Sequence, residues 1–197
     1  MAPWIESTSS SSEYDAATWV SQNSYQEEGN PRRVWKTHAP SHLLPWKCSQ
    51  KPFEKGKVIV VARNANDVAV SMMHHARDVP IFAYAGNWEH FQKIFCDGLV
   101  ESGSFWEWYA GWYNIMQKYP DSILWVTYEN LKVNASAEVK RIADFLDIPC
   151  NKNLADSVVK WSNFDAMKSN FEKMDAEKTK LGEKVKKNHI REGKVGG

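Results

Sequence analysis

The chain has 197 residues, of which 43% are hydrophobic, enough for one compact domain with a sizeable core and too few for two. Its formal net charge of +1 excludes a general attraction to nucleic acid or to an anionic membrane, so any anion site must be a local feature. No apolar run approaches the roughly 20 residues of a membrane span, and the first residues lack the pattern of a secretory signal. The cysteines Cys48, Cys96 and Cys150 are too widely spaced to indicate a disulfide framework or a metal cluster. These features predict a single domain over residues 1–197, cytoplasmic and metal-free, with neither nucleic acid nor a membrane as its partner.

The first predicted elements are two strands and a helix. Residues 1–31 contain a serine run and a turn-rich stretch, which predict a loosely ordered N-terminal segment. Val and Trp favour a short strand at residues 32–37, which the prolines after it bring to an end. Residues 57–62 form an unbroken apolar run, typical of a strand that is covered on both faces. Asn64 is a suitable N-cap for a helix from about residue 65 to residue 77.

The rest of the chain alternates helical and strand patterns. Apolar residues at helical spacing predict helices at about 88–95 and 105–116. Residues 123–128 predict a second buried strand, and the residues after it predict a helix that Pro149 closes. Beyond about residue 172 the chain is rich in lysine and poor in large apolar residues, which predicts a mobile surface segment over residues 172–197. Strands that alternate with helices through short connections predict a parallel, right-handed α/β core.

An anion site is predicted at the end of the first buried strand. Ligands of open parallel sheets bind at the carboxyl ends of the strands, and Arg63 stands there, directly before a helix N-terminus. Ser71 follows about two helical turns later and could lend its hydroxyl to the same anion. A guanidinium fork, a hydroxyl and a helix end together suit a terminal phosphate. The alternative is that Arg63 is an ordinary surface partner of a carboxylate.

A second candidate site lies in the segment before the first proline-rich turn. Lys36 and His38 are two residues apart in an extended stretch, so both side chains can point the same way. An imidazole can accept a proton at neutral pH, and a lysine can neutralise a developing negative charge. The pair therefore fits transfer of an anionic group to a hydroxyl or an amine. The alternative is that His38 is an ordinary surface histidine without a catalytic role.

Motifs along the chain, taken in order, resemble those of the cytosolic sulfotransferases. Residues 32–45 resemble the family's R-x-x-K-T-H-x-P…L-L-P segment, and residues 60–71 its R-N-x-x-D-x-x-V-S motif. The other matches are Gly86-Asn-Trp88 and Gly103-Ser-Phe-Trp106 at helix starts, Tyr128-Glu-Asn-Leu-Lys132, Ser162-Asn-Phe-Asp-Ala-Met-Lys168 and Arg191-Glu-Gly-Lys-Val-Gly196. Motifs in the family's order over residues 32–196 are far more specific than any single match.

The resemblance implies the sulfotransferase fold, a P-loop-like parallel sheet flanked by helices. It also implies sulfonate transfer from PAPS (3′-phosphoadenosine 5′-phosphosulfate) to a small acceptor such as a phenol, an alcohol or an amine. By this resemblance His38 is the general base that takes the proton of the acceptor. Lys36 contacts the transferring sulfonate or the departing nucleotide phosphate.

The resemblance also implies a nucleotide site. Arg63 and Ser71 would bind the 3′-phosphate, joined by Arg191 and the backbone at Gly193. The residues expected beside the adenine are Tyr128, Ser162 and Met167, with Phe164 packing nearby.

The sequence departs from the family pattern in three ways. The chain ends at Gly197, before the D-W-K-N and the dimer-forming segment with which the family continues. The family's Y-P-K-S-G-T-T-W motif, which wraps the 5′-phosphosulfate and belongs with its first sheet strand, has no counterpart here. Glu192 replaces the usual lysine of the third phosphate motif, where a carboxylate is repulsive unless it turns outward. The chain is therefore expected either to be cut from a longer enzyme or to be a remnant that binds 3′-phosphoadenosine 5′-phosphate without turnover.

The sequence gives less support to other functional classes. A P-loop kinase would need G-x-x-x-x-G-K-[ST], which does not occur in this sequence. The lysines of residues 173–187 are interleaved with acidic residues, unlike a nucleic-acid-binding patch. The identity of the acceptor and the oligomeric state are left open by the sequence.

Overall fold

The computed structural model describes residues 32, 34–43, 56–79 and 81–180, together with Gly193 and Gly196. It contains two strands, β1 (Val58–Ala62) and β2 (Ile123–Thr127), and a short 3-10 helix, Ser41–Leu43. The helices are α1 (Ala65–Asp78), α2 (Trp88–Cys96), α3 (Phe105–Lys118), α4 (Tyr128–Val133), α5 (Ala135–Phe145), α6 (Lys152–Ser162) and α7 (Phe164–Lys180). The alternation of strands and helices confirms the predicted α/β class. None of the described helices combines the length and the hydropathy that a membrane crossing requires.

The sheet is parallel, as the sequence predicts. β1 and β2 pair in register from Val58 opposite Ile123 to Ala62 opposite Thr127. The prediction that β1 is covered on both faces is wrong at Val61, whose side chain is 56% exposed. Within the described residues β1 has a single neighbouring strand. β1 and β2 therefore bury only some of their apolar side chains.

Side chains that accept backbone N–H groups set the helix starts. Asn64 accepts from the N–H of Asn66 at the start of α1, which confirms it as the predicted N-cap. Asn87, Ser104 and Asn151 cap α2, α3 and α6 in the same way. These polar residues fall directly before apolar periodic runs, which explains why the sequence located the helices closely.

The region after β2 differs from its prediction. The strand ends at Thr127 rather than at Tyr128, because the Thr127 hydroxyl accepts from the N–H of Asn130 and starts α4. A second helix, α5, follows after Asn134, where a ψ of 50° ends the first helix. Two helices thus stand where the sequence predicts one.

Two apolar clusters form the core. In the first, buried Val60 and Ile123 of the sheet pack with Trp112 of α3. In the second, α1 and α2 pack through Ala69, Met73, Phe91 and Phe95. The second cluster holds α1 from the side and so fixes the direction in which its N-terminus points.

Two basic residues hold the C-terminal end of α5. Arg32 donates to the carbonyl groups of Leu146 and Asp147, and Lys57 donates to the carbonyl of Phe145 and to the carboxylate of Asp147. The hydrogen bond and the charge of Lys57 hold the pKa of Asp147 below its ordinary value. Cations at a helix C-terminus also interact favourably with its free carbonyl groups.

Three further predictions concern segments near the two ends of the chain. At residues 32–37 the structure has isolated bridge pairs at Val34 and Lys36 rather than a continuous strand. The predicted C-terminal segment begins as helix, because α7 continues to Lys180, and its mobility stays a prediction. Residues 1–31 lie outside the described residues.

Candidate active site

The register of the sheet brings Arg63 and Tyr128 together. Ala62 pairs with Thr127, so the next residue of each strand leaves the same edge of the sheet side by side. The guanidinium carbon of Arg63 lies 4.4 Å from the centroid of the Tyr128 ring. An arginine stacked on an aromatic face gains a cation–π attraction and loses freedom of orientation.

Asp67 engages one edge of the same guanidinium. Nε and Nη2 of Arg63 donate to Oδ2 of Asp67 at 3.3 and 3.0 Å. Asp67 lies in the first turn of α1 and is buried. A guanidinium is a planar fork, so engagement of its Nε–Nη2 edge turns the Nη1 edge away from Asp67.

Ser71 follows Asp67 on the same face of α1. Four residues advance a helix by slightly more than one turn and by about 6 Å, so the Ser71 hydroxyl lies one turn beyond the carboxylate. Ser71 is exposed. Arg63, Asp67 and Ser71 therefore follow one line along the start of α1.

The distant C-terminal glycines also reach this site. The N–H of Gly196 donates to Oδ1 and Oδ2 of Asp67 at 3.2 and 3.0 Å. Gly193 lies against Phe164, where a Cβ on Gly193 would stand 2.3 Å from Cδ2 of the ring. Both glycines have positive φ angles, of 64° and 75°. Arg191, the third residue predicted for this anion site, lies outside the described residues.

The segment that carries Lys36 and His38 is docked on α3. The indole N–H of Trp108 donates to the carbonyl of His38 at 2.9 Å, and that of Trp112 donates to the carbonyl of Ala39 at 3.3 Å. Ala39 also packs against the core cluster of the sheet. The His38 side chain is exposed, whereas Lys36 is half-buried. The two indoles thus hold the backbone and leave the imidazole at the surface.

The residues predicted beside an adenine occupy two places. Tyr128 is half-buried beneath Arg63. Ser162 ends α6, where its hydroxyl donates to the carbonyl of Val158 at 2.7 Å, and Met167 lies 41% exposed in the first turns of α7. Phe164, between them in sequence, is half-buried against Gly193.

A cavity of about 590 Å³ opens at the same edge of the sheet. Its lining comes from the end of β1, the end of β2 and the first turns of α3: Ala62, Arg63, Asn64, Ala65, Phe105, Trp106, Tyr109, Ala110, Thr127 and Glu129. Of the predicted site residues that the structure describes, only Arg63 lines it. The cavity combines an aromatic wall from α3 with the charged strand ends.

Two carboxylates of the site were not singled out by the sequence reasoning. Asp67 stands four residues after Arg63, a spacing that favours an ion pair on a helix and could have identified it. Glu129 accepts from the backbone N–H of Asn64 through Oε1 at 2.9 Å and so ties the start of α4 to the start of α1. No sequence signal identifies that contact, since the two residues are 65 apart.

Comparisons with known proteins agree on one family. The model of the family described as "Sulfotransferase domain" matches residues 2–197. Sulfotransferase 1A1 of Rattus norvegicus is 35% identical over 144 residues, which are 73% of this chain and 48% of that protein. Sulfotransferase 1B1 of Mus musculus is 37% identical over 140 residues, 70% of this chain and 44% of that protein. The chain thus spans about half the length of the curated relatives that it matches.

Solved structures show the same fold. The crystal structure of mouse sulfotransferase SULT7A1 complexed with PAP has a TM-score of 0.69 and 28% sequence identity, and the match covers 86% of this chain and 59% of that one. Retinol dehydratase in complex with androsterone and inactive cofactor PAP has a TM-score of 0.74 and 24% identity, with 93% and 51% of the two chains covered. At that identity the second likeness shows the fold alone.

Proposed function

Since this chain belongs to the sulfotransferase domain family, we propose that it transfers a sulfonate group from PAPS to a hydroxyl or an amine of a small acceptor. The observation that carries the proposal is the arginine site at the carboxyl edge of the parallel sheet. There Arg63 is stacked on Tyr128 and linked through Asp67 to the glycine loop. A solved relative at 28% identity was crystallised with PAP, the nucleotide that remains after the sulfonate has left PAPS.

The residues of the arginine site suit a terminal phosphate. Tyr128 on its face and Asp67 on one edge restrain the orientation of the Arg63 guanidinium, and a guanidinium fork suits the oxygens of a phosphate. Ser71 and the N-terminus of α1 supply further donors along the same line. Arg191 and the backbone at Gly193 would complete the site. Tyr128, Ser162 and Met167 would lie by the adenine.

His38 would act as the general base. In the transfer, the acceptor oxygen or nitrogen forms a bond to sulfur, the bond from sulfur to the nucleotide phosphate oxygen breaks, and the acceptor proton passes to the imidazole. Lys36 would neutralise charge on the transferring group or on the departing phosphate. The docking of this segment on Trp108 and Trp112 supports the role, because a base contributes only when it is held in position.

The aromatic cavity suits an acceptor that is small, flat and apolar. Its volume of about 590 Å³ is in the range of ordinary small-molecule sites, and Phe105, Trp106 and Tyr109 form much of one wall. It lies directly beside Arg63, at the edge of the proposed nucleotide site. Phenols, alcohols and aromatic amines are the acceptor classes to test first.

The test is transfer of radiolabelled sulfonate from PAPS to a panel of phenols, alcohols and amines. We expect His38→Ala to lower the rate by on the order of 10²- to 10⁴-fold, as loss of a general base does, and to leave PAP affinity unchanged. His42→Ala is the matched control, because His42 is exposed and follows in the same segment. Transfer that survives in His38→Ala would contradict the role of the base.

A second candidate function rests on the sequence. No Y-P-K-S-G-T-T-W segment occurs in it, whereas Arg63 and Ser71 of the phosphate site are present. The chain would then hold PAP without turning PAPS over. Calorimetry with PAP would show binding that Arg63→Ala weakens, with no labelled product over long incubation. Labelled product from the unaltered chain would exclude this candidate.

The remaining expectations stay predictions. They are a cytoplasmic location, no metal, and neither nucleic acid nor a membrane as partner. Among the described residues, no group of three or more metal-ligating side chains was found.

A further inference from the structure

We propose that Asp67 is a positioning residue that joins the Arg63 guanidinium to the loop of Gly193 and Gly196, so that the two halves of the phosphate site assemble as one unit. The proposal deepens the function proposed above and rests on it, since the ligand is the 3′-phosphate of the nucleotide. Asp67 would not touch the phosphate itself. It would act through the donors that it holds.

Asp67 contacts two parts of the chain, Arg63 and Gly196. Its Oδ2 accepts from Nε and Nη2 of Arg63 and from the N–H of Gly196, and its Oδ1 accepts from the same N–H. Arg63 is four residues away in sequence, whereas Gly196 is 129 residues away. A buried carboxylate that holds donors from both parts of the chain makes the position of each depend on the other.

The arginine is oriented by this contact. The ring of Tyr128 restrains the face of the guanidinium, and Asp67 restrains rotation within its plane. Together they restrain the orientation of the guanidinium. A fork that is already aimed loses less conformational freedom when a phosphate binds.

The loop is held by the same carboxylate. Gly193 lies so close to Phe164 that an added Cβ would stand 2.3 Å from the ring, and the N–H of Gly196 is hydrogen-bonded to Asp67. Each of the two glycines therefore has its own contact with the rest of the domain. A loop that is attached before the nucleotide arrives lowers the ordering cost of binding.

The effect of Asp67→Asn on PAP binding distinguishes a positioning role from simple charge repulsion. A carboxylate near a phosphate site repels the phosphate, so Asp67→Asn should strengthen PAP binding if only charge matters. If Asp67 positions donors, the same change should weaken PAP binding. Asn is nearly isosteric with Asp and keeps one acceptor oxygen, which limits effects on folding.

The experiment is calorimetry of the full chain with PAP, in a double-mutant cycle of Asp67→Asn and Arg63→Ala. We expect Asp67→Asn to weaken PAP binding by about 5- to 20-fold, as loss of a charge-assisted hydrogen bond does. In the Arg63→Ala background the further loss should be smaller, because Asp67 then positions the loop alone. Asp78→Asn, an exposed substitution in the same helix, is the control and should change nothing.

Amide hydrogen exchange at Gly196, without nucleotide, tests the loop directly. Exchange should be at least several-fold faster in Asp67→Asn than in the unaltered chain and unaffected in Asp78→Asn. Equal or tighter PAP binding in Asp67→Asn, an equal loss in both arginine backgrounds, or unchanged exchange at Gly196 would each overturn the proposal. Failure of the unaltered chain to bind PAP would instead refute the proposed function, while the exchange result would still decide the link between Asp67 and the loop.

Discussion

At the scale of the residue, the C-terminal glycines are required by two different constraints. Gly193 has both a positive φ and a ring in van der Waals contact with its backbone, whereas Gly103 has a positive φ with open space around it. An L-residue at such a φ costs roughly 1 kcal/mol or more, and a clash adds to that cost. Comparison of the two glycines therefore separates strain from close packing.

Gly193→Ala should weaken PAP binding by about 10-fold, because the new Cβ must displace Phe164 and with it the loop. Gly103→Ala should lower the free energy of unfolding by about 1 kcal/mol and leave PAP affinity unchanged. Calorimetry with PAP and thermal unfolding of both variants provide the two readouts. Equal PAP affinities for Gly193→Ala and the unaltered chain would show that the contact with Phe164 does not support the nucleotide site.

At the scale of the element, α3 contributes neighbouring aromatic side chains to two sites. Trp108 and Trp112, one turn apart, hold the backbone of His38 and Ala39. Phe105, Trp106 and Tyr109 line the cavity at the strand ends. The helix thereby ties the position of the candidate base to the wall of the candidate acceptor site.

Trp108→Phe removes the hydrogen bond to the His38 carbonyl and keeps an aromatic ring. A neutral hydrogen bond is worth about 0.5–1.5 kcal/mol, so turnover should fall roughly 2- to 10-fold while PAP affinity stays unchanged. Trp161→Phe is the control, since Trp161 is 70% exposed and should not matter. The measurement is kcat for sulfonate transfer beside calorimetry with PAP. A fall in PAP affinity equal to the fall in turnover would argue against a role confined to His38.

At the scale of the whole molecule, the two apolar clusters support different parts of the site. The cluster of Val60, Trp112 and Ile123 joins the sheet to α3 and so supports the segment with His38. The cluster around Phe91 and Phe95 joins α1 to α2 and so supports Asp67 and Ser71. Loss of packing in the second cluster should therefore reach the phosphate site through α1.

Phe91→Ala should lower the free energy of unfolding by about 3–5 kcal/mol, because Phe91 is 2% exposed and its removal leaves a cavity. Leu99→Ala, at a position that is 71% exposed, should change it by no more than about 0.5 kcal/mol. Denaturant unfolding measures both values. Similar stability of the two variants would show that the second cluster contributes little to the fold.

Local patterns in the sequence were sufficient to predict most of the helices and strands. The apolar runs predicted β1 and β2, Asn64 predicted the start of α1, and the aromatic periodicity predicted α3. The motif order predicted the family, which the match over residues 2–197 confirms. These features depend on neighbours within a few residues, and propensity, capping and periodicity act over that range.

Contacts between distant residues were decided by the tertiary structure alone. Arg63 meets Tyr128 because the strands pair in one register, and Gly196 meets Asp67 because the chain returns over 129 residues. The exposure of Val61 likewise depends on what packs against that face of the sheet. A sequence pattern indicates which side chains share a face of a helix or a strand. It does not determine the register of strand pairing or the path of the chain, and these bring distant residues into contact.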